Sequence, residues 1–277
     1  MVTNQSKLSR SNFWIIVVNS TASFVVAYLI VFYVNMGTTL LSTAMFNFNV
    51  SFNYSVVYYQ IQDYQWTHDA VKLIFSSGPI MVFILGILSL VGFFGLLEEV
   101  SRLKLLFLWI SLISFNQTFG NLMIGNLFKT GVGHVFNWMY FSDTAKMVVA
   151  LIGFFGLITT AFIMRQPVGI SANTYFNKLG SKNFPFFITA QLILPFICGY
   201  GLIFAYFSQN LFFQEKYAWI SLGIMLLFIF ISLSKSEYMY FDEEERTISL
   251  SNFLIVFAIV MYVGLRYFLR DQIYINW

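Results

Sequence analysis

Long stretches without charge dominate this chain and constrain its fold more than any other feature. No Asp, Glu, Lys, Arg or His occurs between Ser11 and Gln62. Six further windows share this property: Leu73–Leu97, Leu105–Phe128, Met147–Met164, Asn183–Gln214, Tyr217–Ser234 and Thr247–Leu265. An apolar stretch of about 20 residues is long enough to cross a bilayer as a helix. The pattern therefore predicts an all-α polytopic integral membrane protein. Its predicted partners include the lipid bilayer that surrounds it.

The composition agrees with this prediction and excludes other classes. Charged residues make up 10% of the sequence, whereas a soluble domain has about 25%. The 277 residues suffice for about seven spans with short connectors, so we expect one transmembrane domain over residues 1–277. Its basic residues are scattered around the spans, where they normally set topology. We therefore expect no nucleic-acid partner.

The predicted transmembrane helices cover about residues 12–35, 70–97, 104–128, 145–165, 185–208, 216–235 and 248–269. Basic residues precede the first helix and follow the second, fourth and sixth: Lys7, Arg10, Arg102, Lys104, Arg165, Lys178, Lys182, Lys235 and Arg246. Such residues accumulate on the cytoplasmic side. We expect a cytoplasmic N-terminus in a bacterial inner membrane, although Arg266 and Arg270 oppose an outer C-terminus.

Residues 37–69, between the first two predicted helices, contain a strand pattern. Apolar and polar side chains alternate strictly from Phe46 to Val56, and a period of two is typical of a β-strand. The aromatic run Val57–Tyr64 could pair back on it as a hairpin. Because unpaired strand edges are not tolerated in lipid, we expect the hairpin at the membrane surface or against protein.

Polar residues inside the first and third predicted helices are the candidate site. Residues in the third helix recur at a spacing of four, which places part of the set on one stripe. Such residues usually hydrogen-bond between helices, each bond contributing about 0.6–2 kcal/mol, and we favour this interpretation. The alternative is a polar groove that binds a partner. Together with a helix-kinking proline, the groove candidates are Asn19, Ser20, Ser23, Pro79, Asn116, Gln117, Asn121 and Asn126.

The order of these features resembles site-2-protease-like intramembrane metalloproteases. The resemblance covers about residues 12–165: a first helix, the alternating hairpin, Ser77-Gly78-Pro79, the run Phe119–Asn126 and then Gly131-Val132-Gly133. It implies a core over residues 1–165 followed by three additional helices in residues 166–277. It also implies a groove that holds a transmembrane segment.

The chain departs from that family where the zinc site should be. The family's metal-binding histidines and catalytic glutamate align best with Asn19–Ser23, and its third, acidic ligand with Gly131 or Val132. Zinc needs N, S or carboxylate ligands, and hydrolysis needs a base to activate water. The resemblance therefore implies a pseudoprotease with no bound metal, no cofactor and no catalytic residues.

Three functions follow from these observations. The first is a non-catalytic scaffold or accessory subunit that binds other integral membrane proteins through an interhelical groove. The second is a transporter or channel for a neutral or lipidic solute, because broken helices and midplane polar groups are typical of such sites. The third is a membrane enzyme, which we consider weakest because Ser20 and Ser23 have no base in the same spans to activate them.

Overall fold

A computed structural model of the chain describes residues 8–96, 103–208, 213–234, 239–241 and 247–277. Its α-helices are α1 (Arg10–Ala44), α2 (His68–Gly95), α3 (Leu103–Phe115), α4 (Asn121–Phe128), α5 (Gly133–Trp138), α6 (Asp143–Ser171), α7 (Phe184–Ile188), α8 (Leu194–Tyr206), α9 (Phe213–Ser234) and α10 (Asn252–Phe268). Single π-helical turns, Asn116–Gly120 and Thr189–Ile193, join α3 to α4 and α7 to α8. The strands are β1 (Val50–Phe52), β2 (Val57–Tyr59), β3 (Lys178–Leu179), β4 (Met239–Tyr240) and β5 (Ile273–Ile275).

Six helical stretches in the described residues are long and apolar enough to cross a membrane: Arg10–Ala44, His68–Gly95, Leu103–Phe128, Asp143–Thr174, Phe184–Tyr206 and Lys216–Ser234. They coincide with the first six predicted helices, although the first begins earlier and ends nine residues later than predicted. The seventh, α10, is apolar but has 17 residues. The chain is therefore a mostly helical integral membrane protein. Five residues of the predicted helix ends and connectors lie outside the described residues: Lys7, Leu97, Arg102, Lys235 and Arg246.

The predicted hairpin between α1 and α2 is present. Strands β1 and β2 pair antiparallel, with Ser51 opposite Tyr58. The turn between them is closed by Asn53, whose Oδ1 accepts hydrogen bonds from the backbone N–H groups of Ser55 and Val56, both at 2.9 Å, as in an Asx turn. A third strand that the sequence pattern did not predict, β5, covers the other edge of β1, and Tyr274 pairs with Ser51 there.

The strand pairings fix which connectors meet. Because β5 follows α10 and pairs with β1, the end of α10 lies beside the hairpin. Because β3 follows α6 and pairs with β4, which follows α9, the other ends of α6 and α9 lie together. We call these two sides the hairpin end and the opposite end. Each long helical stretch runs from one end to the other, and α5 lies at the hairpin end.

Helix α1 forms the centre of the bundle and packs on α2, α3, α8 and α10. Its buried face carries Phe24, which meets the ring of Trp109 on α3 at 4.9 Å and that of Tyr200 on α8 at 5.3 Å. Gly199 makes this packing possible, since a Cβ there would lie 2.2 Å from the Phe24 ring. Edge-to-face aromatic contacts of this kind stabilise a core beyond simple burial.

Hydroxyl groups attach the hairpin to this core. The Tyr33 hydroxyl of α1 donates to the Tyr54 carbonyl at 3.0 Å and lies 2.6 Å from the hydroxyl of Tyr206. The Tyr54 N–H in turn donates to the carbonyl of Leu269, just after α10, at 2.8 Å. The hairpin is therefore packed against protein, as an unpaired edge near lipid requires.

Helix α6 approaches the end of the third helical stretch closely enough to require glycine. A Cβ on Gly153 would lie 2.6 Å from both the Met123 nitrogen and the Phe119 carbonyl oxygen. Because these are backbone atoms, we expect Gly153→Ala to lower the free energy of unfolding by up to about 2 kcal/mol, the cost of overpacking less the helix propensity gained. Unfolding in mixed micelles measures this change.

Gly201→Ala on α8 is the matched control, because a Cβ there would meet no atom within 4 Å. It should leave stability unchanged or raise it by up to about 1 kcal/mol. Equal effects of the two substitutions would contradict the packing of α6 described above.

Candidate functional site

Ser20 lies where three helical stretches meet, and its hydroxyl is fully used. Its Oγ donates to the Gln191 carbonyl at 2.6 Å and accepts from the Trp109 indole N–H at 2.9 Å. The Gln191 carbonyl needs this donor because Pro195, four residues later, has no N–H to offer it. Polar side chains of neighbouring helices commonly satisfy backbone groups released by proline in lipid. Ser20 is thus a structural link between α1, α3 and the π-helical turn before α8.

Gln191 extends this link and was not among the predicted site residues. Its Nε2 donates to the Ser171 hydroxyl at 2.5 Å, which joins the π-helical turn to the end of α6. Gln191 is fully buried, and it is the one amide side chain in the stretch Phe184–Tyr206. An isolated amide in an apolar span is the signal that could have identified it.

Two further polar residues of α1, Asn19 and Ser23, bond to protein as well. The Asn19 amide bridges the segment before α10: its Nδ2 donates to the Ser249 carbonyl at 3.0 Å and its Oδ1 accepts from the Ser251 N–H at 2.8 Å. Ser23 donates to the Asn19 carbonyl within the same helix at 2.9 Å. Asn19 therefore anchors the beginning of α10.

The predicted residues of the third helical stretch pair locally or with α9. Asn116 donates to the Ala218 carbonyl of α9 at 3.1 Å. Asn121 donates to Oε1 of Gln117, four residues before it, at 3.1 Å, and Asn126 donates to the Leu122 carbonyl at 2.8 Å. No hydrogen bond in the described residues joins this set to the α1 set.

Pro79 lies within α2, half-buried, and its carbonyl accepts from the Thr118 hydroxyl at 3.3 Å. Beside it, Gly78 permits the close approach that the small-residue motif predicts: a Cβ there would lie 1.8 Å from Asn35 Oδ1. Ser77 and Ser42 add a hydroxyl contact of 2.6 Å between α1 and α2. All eight candidate residues therefore lie in contacts between or within helices.

The positions aligned with the protease metal ligands lie at opposite ends of the bundle. Asn19 contacts the segment before α10, at the opposite end, whereas Gly131 follows α4 at the hairpin end. At the position aligned with the third metal ligand, the backbone itself requires Gly131 and its neighbour Gly133. Gly131 adopts a φ of 51°, and a Cβ on Gly133 would lie 2.0 Å from the Gly125 carbonyl oxygen. They are required by the turn from α4 to α5.

Titratable groups in the part of the chain that the structure covers do not converge. No group of three His, Cys, Asp or Glu side chains there could hold a metal ion. Asp143 pairs with Lys146 and Lys129 at 3.5 and 3.8 Å, and Lys72 with Asp69 at 3.7 Å. Apart from the Lys146 side chain, which is 13% exposed, the partners are well exposed, and exposed pairs contribute little to stability. The acidic run Asp242–Glu245 lies outside the described residues.

A cavity at the hairpin end gathers the aromatic side chains that sequence analysis did not group. We call it the aromatic pocket; it has a volume of about 310 Å³ and is lined by Trp66, Val71, Phe75, His134, Asn137, Trp138 and Tyr140. On one side of the pocket Trp66 stacks on Phe75, with ring centroids 5.9 Å apart. On the other side Tyr140 is 88% exposed at its mouth. Clusters of Trp and Tyr of this kind are enriched at binding surfaces.

Both histidines of the sequence border this pocket. His134 lies 5.3 Å from the Phe75 ring, and His68 lies 6.1 Å from the Trp138 ring. The pocket wall partly desolvates His134 and lowers the pKa of its imidazole. His134 is therefore neutral near pH 7, with one ring nitrogen that can donate and one that can accept a hydrogen bond.

The chain matches no protein-family model, no curated protein and no solved structure.

Removal of the Ser20 hydroxyl tests the link between the three helical stretches. Ser20→Ala leaves the Trp109 N–H and the Gln191 carbonyl without their partner, so we expect the free energy of unfolding to fall by about 1–3 kcal/mol. Ser23→Ala removes a bond within one helix and should cost less than about 1 kcal/mol. Unfolding in mixed micelles compares the two variants.

The role of Pro195 is tested by repeating Ser20→Ala in a Pro195→Ala background. The restored backbone N–H at position 195 can satisfy the Gln191 carbonyl, so the cost of Ser20→Ala should decrease. An unchanged cost would show that the serine does not compensate for the proline.

Proposed function

We propose that this chain is a non-catalytic membrane scaffold that binds another integral membrane protein. The observation that carries the proposal is the contrast between its core and its hairpin end. Polar side chains of the core such as Ser20 and Asn116 hydrogen-bond to backbone carbonyls of neighbouring helices, whereas aromatic side chains form an open pocket at the hairpin end. A surface of this kind supports binding but offers no nucleophile with an adjacent base.

The partner surface we propose is the aromatic pocket, occupied by an apolar or aromatic side chain from an extramembrane segment of the partner. Trp138 and Tyr140 have 38% and 88% of their surface exposed. Large aromatic side chains contribute much of the affinity when a partner buries them. His134 and Asn137 provide the few polar groups that orient a bound segment.

The topology we propose has seven spans, with α10 as the seventh, in a bacterial inner membrane. Nine of the 15 Lys and Arg residues lie, by sequence, in the N-terminal segment, in the three connectors at the opposite end, or within two helical turns of them. This bias supports a cytoplasmic N-terminus, with the hairpin end on the outer side. Derivation from a site-2-protease-like ancestor remains a prediction, and the scaffold proposal does not depend on it.

Transport of a neutral solute is the second candidate. Two observations favour it: the third and fifth helical stretches each contain a π-helical turn, and such turns are frequent at functional sites. Asn116 Oδ1 and Gln191 Oε1 are buried without a hydrogen-bond partner. Uptake of neutral solutes by vesicles that contain the protein, lost on Asn116→Leu, would favour transport over scaffolding.

Site-directed photo-cross-linking in native membranes tests the scaffold proposal. A photoreactive amino acid at Tyr140, at the mouth of the pocket, should give one discrete cross-linked membrane protein. The Trp138→Ala substitution in the same protein should remove most of that product, because it opens one wall of the pocket.

Tyr64 provides the matched control, since it is 85% exposed but does not line the pocket. The same probe at this position should not give the product. Identical products from both positions, or a Tyr140 product that is unaffected by Trp138→Ala, would contradict the proposed surface.

A further inference from the structure

A second cavity lies on the flank of the bundle, between α1, α8 and α10. It has a volume of about 450 Å³ and an almost wholly apolar lining: Trp14, Val17, Val18, Thr21, Ala22, Val25, Cys198, Leu202, Ile255, Ala258, Ile259, Tyr262 and Val263. We call it the flank groove. All three of its walls belong to membrane-spanning or apolar helices, so its opening faces the bilayer. Two kinds of occupant are available in the bilayer: a transmembrane helix of another protein and a lipid.

The length and the lining of the flank groove favour a lipid tail. On α1 it extends from Trp14 to Val25, eleven residues or about 16 Å of helix. Its lining is almost wholly apolar along this length, whereas association of helices in a bilayer relies on interhelical hydrogen bonds and close packing of small residues. A long apolar groove that faces the bilayer suits a single extended hydrocarbon chain.

A cation lies at the hairpin end of this groove. Arg266 follows Tyr262 by four residues on α10, which places both on one face of the helix. Its Nη1 donates to the Ala205 carbonyl at 2.9 Å, and the guanidinium lies 5.6 Å from the Tyr54 ring. The guanidinium also hydrogen-bonds to the side chain of Tyr262, and no ion pair among the described residues includes Arg266. These two hydrogen bonds leave the other N–H donors of the guanidinium for an anion, and phosphate is the anion it matches best.

We propose that the flank groove binds one acyl chain of an anionic phospholipid, with the phosphate at Arg266. Lipid tails are equally apolar elsewhere in the bilayer, so the groove contributes shape and the arginine contributes headgroup preference. The bound lipid would fill the space between α1, α8 and α10. This site is separate from the aromatic pocket, and its existence does not depend on the scaffold function.

Native mass spectrometry of the full chain with added phosphatidylglycerol tests the proposal. The wild type should retain one phosphatidylglycerol after other lipids dissociate. Cys198→Phe places a ring in the groove and should reduce the retained fraction about tenfold. Its matched control is Ile197→Phe on the neighbouring position, which is 57% exposed and does not line the groove; it should retain the lipid. Thermal unfolding, measured before lipid binding, should give both variants the same unfolding temperature as the wild type.

Arg266→Gln tests the headgroup contact separately. It should reduce retention of phosphatidylglycerol about tenfold, the loss expected for a charge-assisted hydrogen bond, and leave retention of diacylglycerol, which has no phosphate, unchanged. Undiminished binding by Cys198→Phe, or equal loss in Cys198→Phe and Ile197→Phe, would overturn the groove as a lipid site. Equal retention of the two lipids by the wild type would overturn the role of Arg266.

Discussion

The structure depends on one constraint: a backbone carbonyl in an apolar bundle has no water to accept a hydrogen bond from, so the protein must supply the donor. Proline at position 195 deprives the Gln191 carbonyl of its helical partner in the middle of an apolar bundle. The Ser20 hydroxyl supplies the missing donor and at the same time accepts from Trp109. One serine therefore fixes the relative positions of α1, α3 and α8. The aromatic packing of Phe24 against Trp109 and Tyr200 lies one helical turn away and depends on the same alignment.

This use of the core has a consequence for function. Because the amides and hydroxyls of the spans hold helices together, the surfaces left to bind other molecules lie at the periphery. One is the aromatic pocket at the hairpin end, where protein recognition is proposed. The other is the flank groove, which faces lipid and ends at Arg266. Both are positioned by α1, which leads into the hairpin at its C-terminal end and lines the groove with its N-terminal half.

The positions of the helices could be predicted from sequence because charge-free length is a local property. The hairpin could be predicted for the same reason, from the alternation that ends at Val56. The pairing of β5 with β1 could not, since those strands are more than 200 residues apart and β5 has three residues. The buried face of each helix was also hidden, because helices that are apolar all round give no periodic signal.

The candidate polar residues were identified correctly as buried, but their partners could not be inferred. Asn19 bonds to a segment 230 residues away, and spacing within α1 contains no information about that contact. The aromatic pocket was missed because its members come from two connectors and the first turns of α2. Their convergence results from the turn at Gly131 and Gly133, which folds α5 back over α2.

The central claim is that the polar residues of the core serve helix packing. The accessibility of their positions to water tests this claim most directly. Single cysteines introduced at Ser23, Asn116 and Asn121 in a Cys198→Ser background are exposed to a membrane-impermeant thiol reagent, with Tyr140→Cys as the accessible reference. If these positions serve helix packing, the reagent modifies the reference and none of the three. Modification of Asn116→Cys or Asn121→Cys at a rate near that of the reference would reveal a water-filled path and contradict the account.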